Sequence, residues 1–255
     1  MNNSIEIKNL NKFYGKKQAL YDVSLSIHGG MFGLLGRNGA GKTTLMKTLA
    51  TLLQKKDGEI TVCGVPIEKA KEIRKIIGYL PQEFSMYPSM KVGEAMEYLA
   101  ILSGLSGSER KERINALFKK VNLTERRDKK VKALSGGMKR RLGIAQALLN
   151  NPKVLIVDEP TAGLDPEERV RFRNLLSELA EDKIVILSTH IVGDIEATCE
   201  DIAIINEGNK VHIRFIADTL MQGAKACEPN MEDAYMLYLH TSGVGEILDE
   251  IGGEW

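Results

Sequence analysis

Nine consecutive residues, Gly36-Arg37-Asn38-Gly39-Ala40-Gly41-Lys42-Thr43-Thr44, hold the types and spacing for anion chemistry. They fit G-x-x-x-x-G-K-[ST], the phosphate-binding P-loop. The glycines let the backbone curl so that successive N–H groups point at one anion. A helix leaving the loop aims its positive end at the same anion. Lys42 adds a mobile charge for β- and γ-phosphates, and the Thr43 hydroxyl suits a Mg²⁺ ligand. The apolar run Met31 to Leu35 enters the loop and Leu45 to Leu49 leaves it with helical patterning, the strand–loop–helix setting that the motif requires.

Carboxylates to match it occur at Lys153-Val154-Leu155-Ile156-Val157-Asp158-Glu159-Pro160. The uninterrupted apolar run predicts a buried parallel strand, and residues at the carboxyl end of such a strand fall beside a P-loop in a doubly wound sheet. Asp158 then suits Mg²⁺ and Glu159 suits a general base for water. Asp182 to His190 repeats the design and puts His190 on the same edge, while Ile76 to Gln82 reads as another strand that presents Gln82 there. His28, His212 and His240 have no such placement. Leu134-Ser135-Gly136-Gly137-Met138 precedes a helical run over Lys139 to Leu149, with Ser135 as N-cap and the glycines leaving helix-end N–H groups open to an anion.

The elements that position these groups follow from periodicity. Residues 5–27 alternate as strands, with Phe13-Tyr14-Gly15 between two runs and Tyr14 able to stack on a base. Asp57 to Gly64 reads as a turn and short strand. Val92 to Ser103 and Ser108 to Val121 read as helices punctuated by Gly104 and Gly107. Further strands are expected around Asn206 to Asn209, then a helix over Asn230 to His240 and a mobile final stretch.

A chain of 255 residues with 43% hydrophobic and 27% charged residues is ordinary globular material. The net charge of +1 gives no reason to expect nucleic acid. The basic run Arg126-Arg127-Asp128-Lys129-Lys130 lacks interleaved aromatics and reads as a solvated loop. Cys63, Cys199 and Cys227 form no metal-type pair and suit a reducing compartment. No secretory leader and no apolar run of membrane-spanning length is visible, so any tie to a membrane is expected through a partner chain.

GRNGAGKTT, LSGGM, VLIVDEP, Gly163-Leu164-Asp165 and the Ser188-Thr189-His190 triplet occur in one order that resembles the ATP-binding subunits of ABC transporters, over about residues 5 to 215. The resemblance implies an α/β fold: a P-loop NTPase core with a mostly parallel sheet, an N-terminal antiparallel β subdomain and an inserted α-helical subdomain at about 88–150. It implies a domain over 1–215 and a C-terminal extension over 216–255. It assigns Tyr14 to the adenine, residues Gly36 to Thr44 to the nucleotide, and Thr43, Asp158 and Gln82 to Mg²⁺. Gln82 matches the family's loop glutamine, which also approaches the attacking water and faces the transmembrane partner. Ser135, Gly136 and Gly137 match the signature that contacts ATP held by a second subunit, Asp165 the residue that crosses the dimer interface, and His190 the γ-phosphate contact. Arg37 stands where the family usually has Pro.

The Leu-Leu-Gly entry to the P-loop, Met138-Lys139-Arg140-Arg141, and Asn230 to Tyr235 resemble stand-alone subunits of ABC-2-type exporters. The implied assembly is a head-to-tail pair, homodimer or close paralogue, on the cytoplasmic face of a membrane, docked to a separate permease through Gln82 to Met90 and the helices that follow. A soluble ABC-type ATPase of DNA repair or translation is the alternative.

Overall fold

The computed structural model describes residues 3–36, 38–196, 198–199, 201–205 and 211–214, with backbone alone at 196 and 211–214. Arg37, residues 206–210 and the expected extension at 216–255 lie outside them. The chain opens with two long strands, β1 (Ile5–Tyr14) and β2 (Lys17–Ile27), paired antiparallel through a tight turn. β1 also pairs antiparallel with β4 (Asp57–Val62), which carries the short β5 (Val65–Pro66) on its far side. Ile5 and Ile7 of β1 and Val23, Leu25 and Ile27 of β2 are buried on one face, as their alternation with polar residues requires.

The second sheet has six strands in the order β10 (Val211–Arg214), β9 (Asp201–Ile205), β3 (Gly30–Gly36), β8 (Ile184–Thr189), β7 (Val154–Asp158), β6 (Ile77–Leu80). All neighbours are parallel except β9 and β10. Every residue of β7 and β8 is buried, the pattern of a central strand covered on both faces. One core joins Val154, Ile156, Ile184, Ile186, Phe32 and Leu34 to α1 (Lys42–Leu49) and the antiparallel sheet. The other joins Leu155, Val157, Val185 and Leu187 to the helices of the opposite face.

Those helices are α3 (Val92–Leu102), α4 (Gly107–Lys120), α5 (Gly136–Ala147) and α6 (Pro166–Ala180). Their starts are chemically specified. Ser106 and Glu109 form a capping box at α4, and Asp165 accepts from the Glu168 amide to cap α6, with Pro166 in its first turn. Ser135 caps α5 by accepting from the Met138 amide at 3.2 Å, so that helix begins at Gly136, three residues before the expected Lys139. Ile76 is the last residue of a helix, α2 (Ala70–Ile76), and not the first of a strand; strand pairing begins only at Ile77. The remaining helix, α7 (Val192–Glu196), follows β8.

Leu176 lies in the middle of α6 and is fully buried against the sheet. Leu176→Ala is expected to lower the unfolding free energy by about 2–5 kcal/mol, read by denaturant titration.

Candidate functional site

The carboxyl edge of the parallel sheet gathers the chemistry. β3 ends at Gly36 and α1 begins at Lys42, so the loop between them delivers the N-terminal end of α1 to this edge. Gly41 stands at the N-cap of α1 with φ 112°, a left-handed conformation open to glycine at little cost. No acidic residue occupies the first turn of α1, which leaves its amide end free of a competing internal anion. Beside it opens a cleft of about 430 Å³ lined by Tyr14, Lys17, Ala19, Asn38, Gly39, Gly41, Lys42, Thr43, Thr44, Gln82 and Glu159.

The charged groups beneath the cleft are withdrawn from water: Asp158 is 0%, Glu159 3% and Lys42 5% exposed. Asp158 ends β7, and its carboxylate accepts hydrogen bonds from Ser188 Oγ at 3.0 Å and from the Thr43 hydroxyl. Its other oxygen, Oδ2, has no hydrogen-bond donor. Burial raises the Asp158 pKa above the ordinary carboxylate value of 3.8, against the lowering effect of those hydroxyls and of Lys42; the charge of Glu159 adds to the rise. A buried carboxylate with an undonated oxygen and a hydroxyl bound to it is a fit place for a hard divalent cation, which takes oxygen ligands.

Glu159 leaves the strand in a left-handed conformation, φ 47°, while its amide still donates to the Ser188 carbonyl. Such a backbone is sparsely populated for a side chain of this size and clusters at functional sites. The turn directs the carboxylate between two partners. Lys42 Nζ lies 3.3 Å from Oε1, and His190 Nδ1 lies 2.7 Å from Oε2. Lys42 Nζ also donates to the Gly36 carbonyl at 2.6 Å. His190 follows β8 directly and is 45% exposed, its backbone held by a bond from the Ile191 amide to Thr189 Oγ1. An ammonium, a carboxylate and an imidazole thus share one point at the mouth of the glycine-rich loop.

The structure brings Tyr14, Asn38, Gly39, Gly41, Lys42, Thr43, Thr44, Gln82 and Glu159 to the cleft itself. Gly36 contributes its carbonyl, Ala40 is buried under the loop, and Asp158 and His190 act on the lining groups. Tyr14 is half exposed at the cleft's rim. Ser135, Gly136, Gly137 and Asp165 line no part of this cleft. Ser135 and Gly136 are exposed, whereas Gly137 is pressed onto α6, where a Cβ would stand 2.3 Å from Glu168 Oε2. Lys17 and Ala19 were not foreseen; Lys17 pairs with Tyr14 across the β1–β2 turn, so hairpin register was the available signal. Ser188 on Asp158 was foreseeable only from strand register, Asp158 facing Ser188 between β7 and β8.

This fold and this site define a P-loop nucleoside triphosphatase. The ABC transporter family model matches residues 20–162. Nod factor export ATP-binding protein I of Cupriavidus pinatubonensis is 39% identical over 210 residues, 81% of this chain and 65% of that protein. The linearmycin resistance ATP-binding protein LnrL of Bacillus subtilis is 38% identical over 230 residues, 86% of this chain and 74% of that one. Among solved structures, the dimeric post-hydrolysis state of the ATP-binding cassette MJ0796 with ADP and Pi superposes with a TM-score of 0.75. It is 27% identical and covers 84% of this chain and 100% of that one. Clostridium perfringens cbiO1, described as part of the ABC transporter complex cbiONQ, gives a TM-score of 0.74 at 29% identity over 82% and 86% of the two chains. The chain belongs to the ABC transporter family, as one of its ATP-binding subunits.

Because its folded pKa is raised, Asp158 stabilises the nucleotide-free chain fully below the ordinary carboxylate value of 3.8 and loses that contribution as pH climbs through the raised value. Asp158→Asn removes the desolvated charge. It is expected to raise the ligand-free Tm at pH 7 by about 2 °C or more while abolishing turnover, checked by a thermal scan and a phosphate-release assay.

Proposed function

We propose that this chain is the ATP-hydrolysing subunit of an ABC exporter. It binds ATP with Mg²⁺ in the cleft, pairs head to tail with a second ATP-binding subunit, and drives a separate permease subunit from the cytoplasmic face of the membrane. The observation that carries the reading is the meeting of Lys42, Asp158, Glu159 and His190, drawn from three chain segments to one point at the edge of the cleft.

Each group has a role. Tyr14 offers a ring face to the adenine, and the amides at the start of α1 receive the triphosphate. Thr43 and Asp158, with Gln82, would hold Mg²⁺, which when bound neutralises charge developing on the phosphate oxygens. The triphosphate draws Lys42 off Glu159. Glu159, held by His190, then accepts the proton of the water that attacks the γ-phosphorus, and ADP leaves.

The exposed Ser135–Gly136 corner lines none of this cleft, which supports contact with ATP bound by another subunit; the named cassette structure is dimeric. Asp165 is exposed at the cap of α6, which supports a place at the interface with the partner. A permease docking face is supported by the exposed apolar side chains of Tyr87, Tyr98, Ile101 and Leu102, with the two tyrosine rings edge to face at 5.6 Å. That patch favours the transporter reading over a soluble ATPase of DNA repair or translation. Export is supported by the role named for one relative, the Nod factor export ATP-binding protein I.

Glu159→Gln is expected to keep ATP binding and cut steady-state hydrolysis at least tenfold, about 1.4 kcal/mol of barrier. Full activity in that variant would remove the base assignment. With ATP and Mg²⁺, Glu159→Gln should run as a dimer by light scattering, and adding Ser135→Arg should return it to monomers that still bind nucleotide. Dimers that survive Ser135→Arg would overturn the head-to-tail arrangement.

A further inference from the structure

α5 connects two parts of the site that are far apart in sequence. Its N-terminal end is the Ser135–Gly136 corner, and one turn further on its Arg140 reaches the segment that follows β6. Arg140 Nη1 donates to the Gln82 carbonyl in a short contact and lies 3.3 Å from the Pro81 carbonyl. Pro81 has no amide to donate and ends the β6 ladder, so the segment leaves the sheet without a paired strand to hold it. The two bonds from one guanidinium to successive carbonyls are charge-assisted and restrain the peptide planes on either side of the Gln82 Cα.

The next turn of α5 confirms a close seat. At Gly143 a Cβ would stand 2.5 Å from Leu80 Cδ1 and 3.1 Å from the Phe84 ring, so only a glycine lets β6 and the start of the loop lie this near the helix. Further along, Lys132 and Val131 donate their amides to the carbonyls of Pro88 and Met90. The loop is therefore held at its far end by backbone bonds and at its near end, beside the cleft, by the hydrogen bonds of Arg140 and the packing of Phe84 on α5. Arg140 is half-buried, its charge disfavoured by that burial and supported by nearby Asp158.

We propose that Arg140 is a positioning residue for ATP hydrolysis: by clamping the Pro81 and Gln82 carbonyls to the signature helix it holds the Gln82 side chain at the cleft. The inference rests on the reading of Gln82 as an active-site group. Arg140 lines no part of the cleft and acts through Gln82. Arg141 beside it has a different task, donating to the Val121 and Asn122 carbonyls and pairing with Glu168 at 3.4 Å.

The test is a double-mutant cycle on the full chain, with Mg-ATP hydrolysis and fluorescent-nucleotide binding measured on each variant. Arg140→Met keeps the aliphatic stem and loses the donors. It should lower kcat at least fivefold with nucleotide affinity within twofold of wild type, and Arg140→Lys, which keeps a cationic donor, should recover at least half of the loss on a logarithmic scale. Gln82→Ala should lower kcat by a similar factor. In the Gln82→Ala background, Arg140→Met should cost less than twofold more, because a clamp has no effect once its cargo is gone. Losses that multiply, or an Arg140→Met enzyme with full kcat, would overturn the proposal. So would a loss that tracks a fall in nucleotide affinity. A wild-type chain without ATPase activity would instead refute the hydrolytic reading itself.

Discussion

Charge withdrawn from water is the constraint on which this structure turns. Asp158, Glu159 and Lys42 lie together below the cleft, all nearly inaccessible to solvent. Such groups persist in a folded chain only if their hydrogen-bonding and ionic demands are met. The demand explains why the start of α1, the end of β8 and His190 meet at the carboxyl edge of β7. It is met only in part. Asp158 Oδ2 is left without a donor, and Asp158 is held at a raised pKa by burial. That residual cost is what a cation beside Asp158 would relieve, so ligand binding and the stability of this edge are linked.

Backbone strain sits at the same place. Glu159 adopts a left-handed conformation between a buried strand and Pro160, and its carboxylate is gripped from both sides. A side chain so over-determined has little freedom to wander, and that suits the general-base role proposed for Glu159. The fully buried β7 and β8 supply the rigidity, with apolar cores on both faces.

The helical face adds a second mechanical idea. α5 is tied to α6 through Arg141 and Glu168, to the end of α4 through the Val121 and Asn122 carbonyls, and to the loop after β6 through Arg140. A helix so connected cannot move without disturbing the loop that carries Gln82. The apolar side chains exposed on α3 and at Tyr87 lie next to that loop, so a partner seated there has a short physical route to the cleft.

The local signals in the amino-acid order were enough for the elements that matter most. The glycines, Lys42 and Thr43 announce an anion loop, and the unbroken apolar run before Asp158 announces a buried parallel strand, because those properties belong to a few neighbouring residues. The Ser135 cap is legible for the same reason, although two glycines hide the first turn of α5 from periodicity, and the Asp165 cap of α6 emerges only in the structure. The order of the strands, with β3 between β8 and β9, and the meeting of Glu159 with Lys42 and His190 were decided by tertiary structure. So were the left-handed turn at Glu159, the Ser188 bond to Asp158 and the reach of Arg140 to Gln82. Each depends on register and packing between segments separated by tens of residues, and a short window of residues carries no information about which distant backbone will lie beside it.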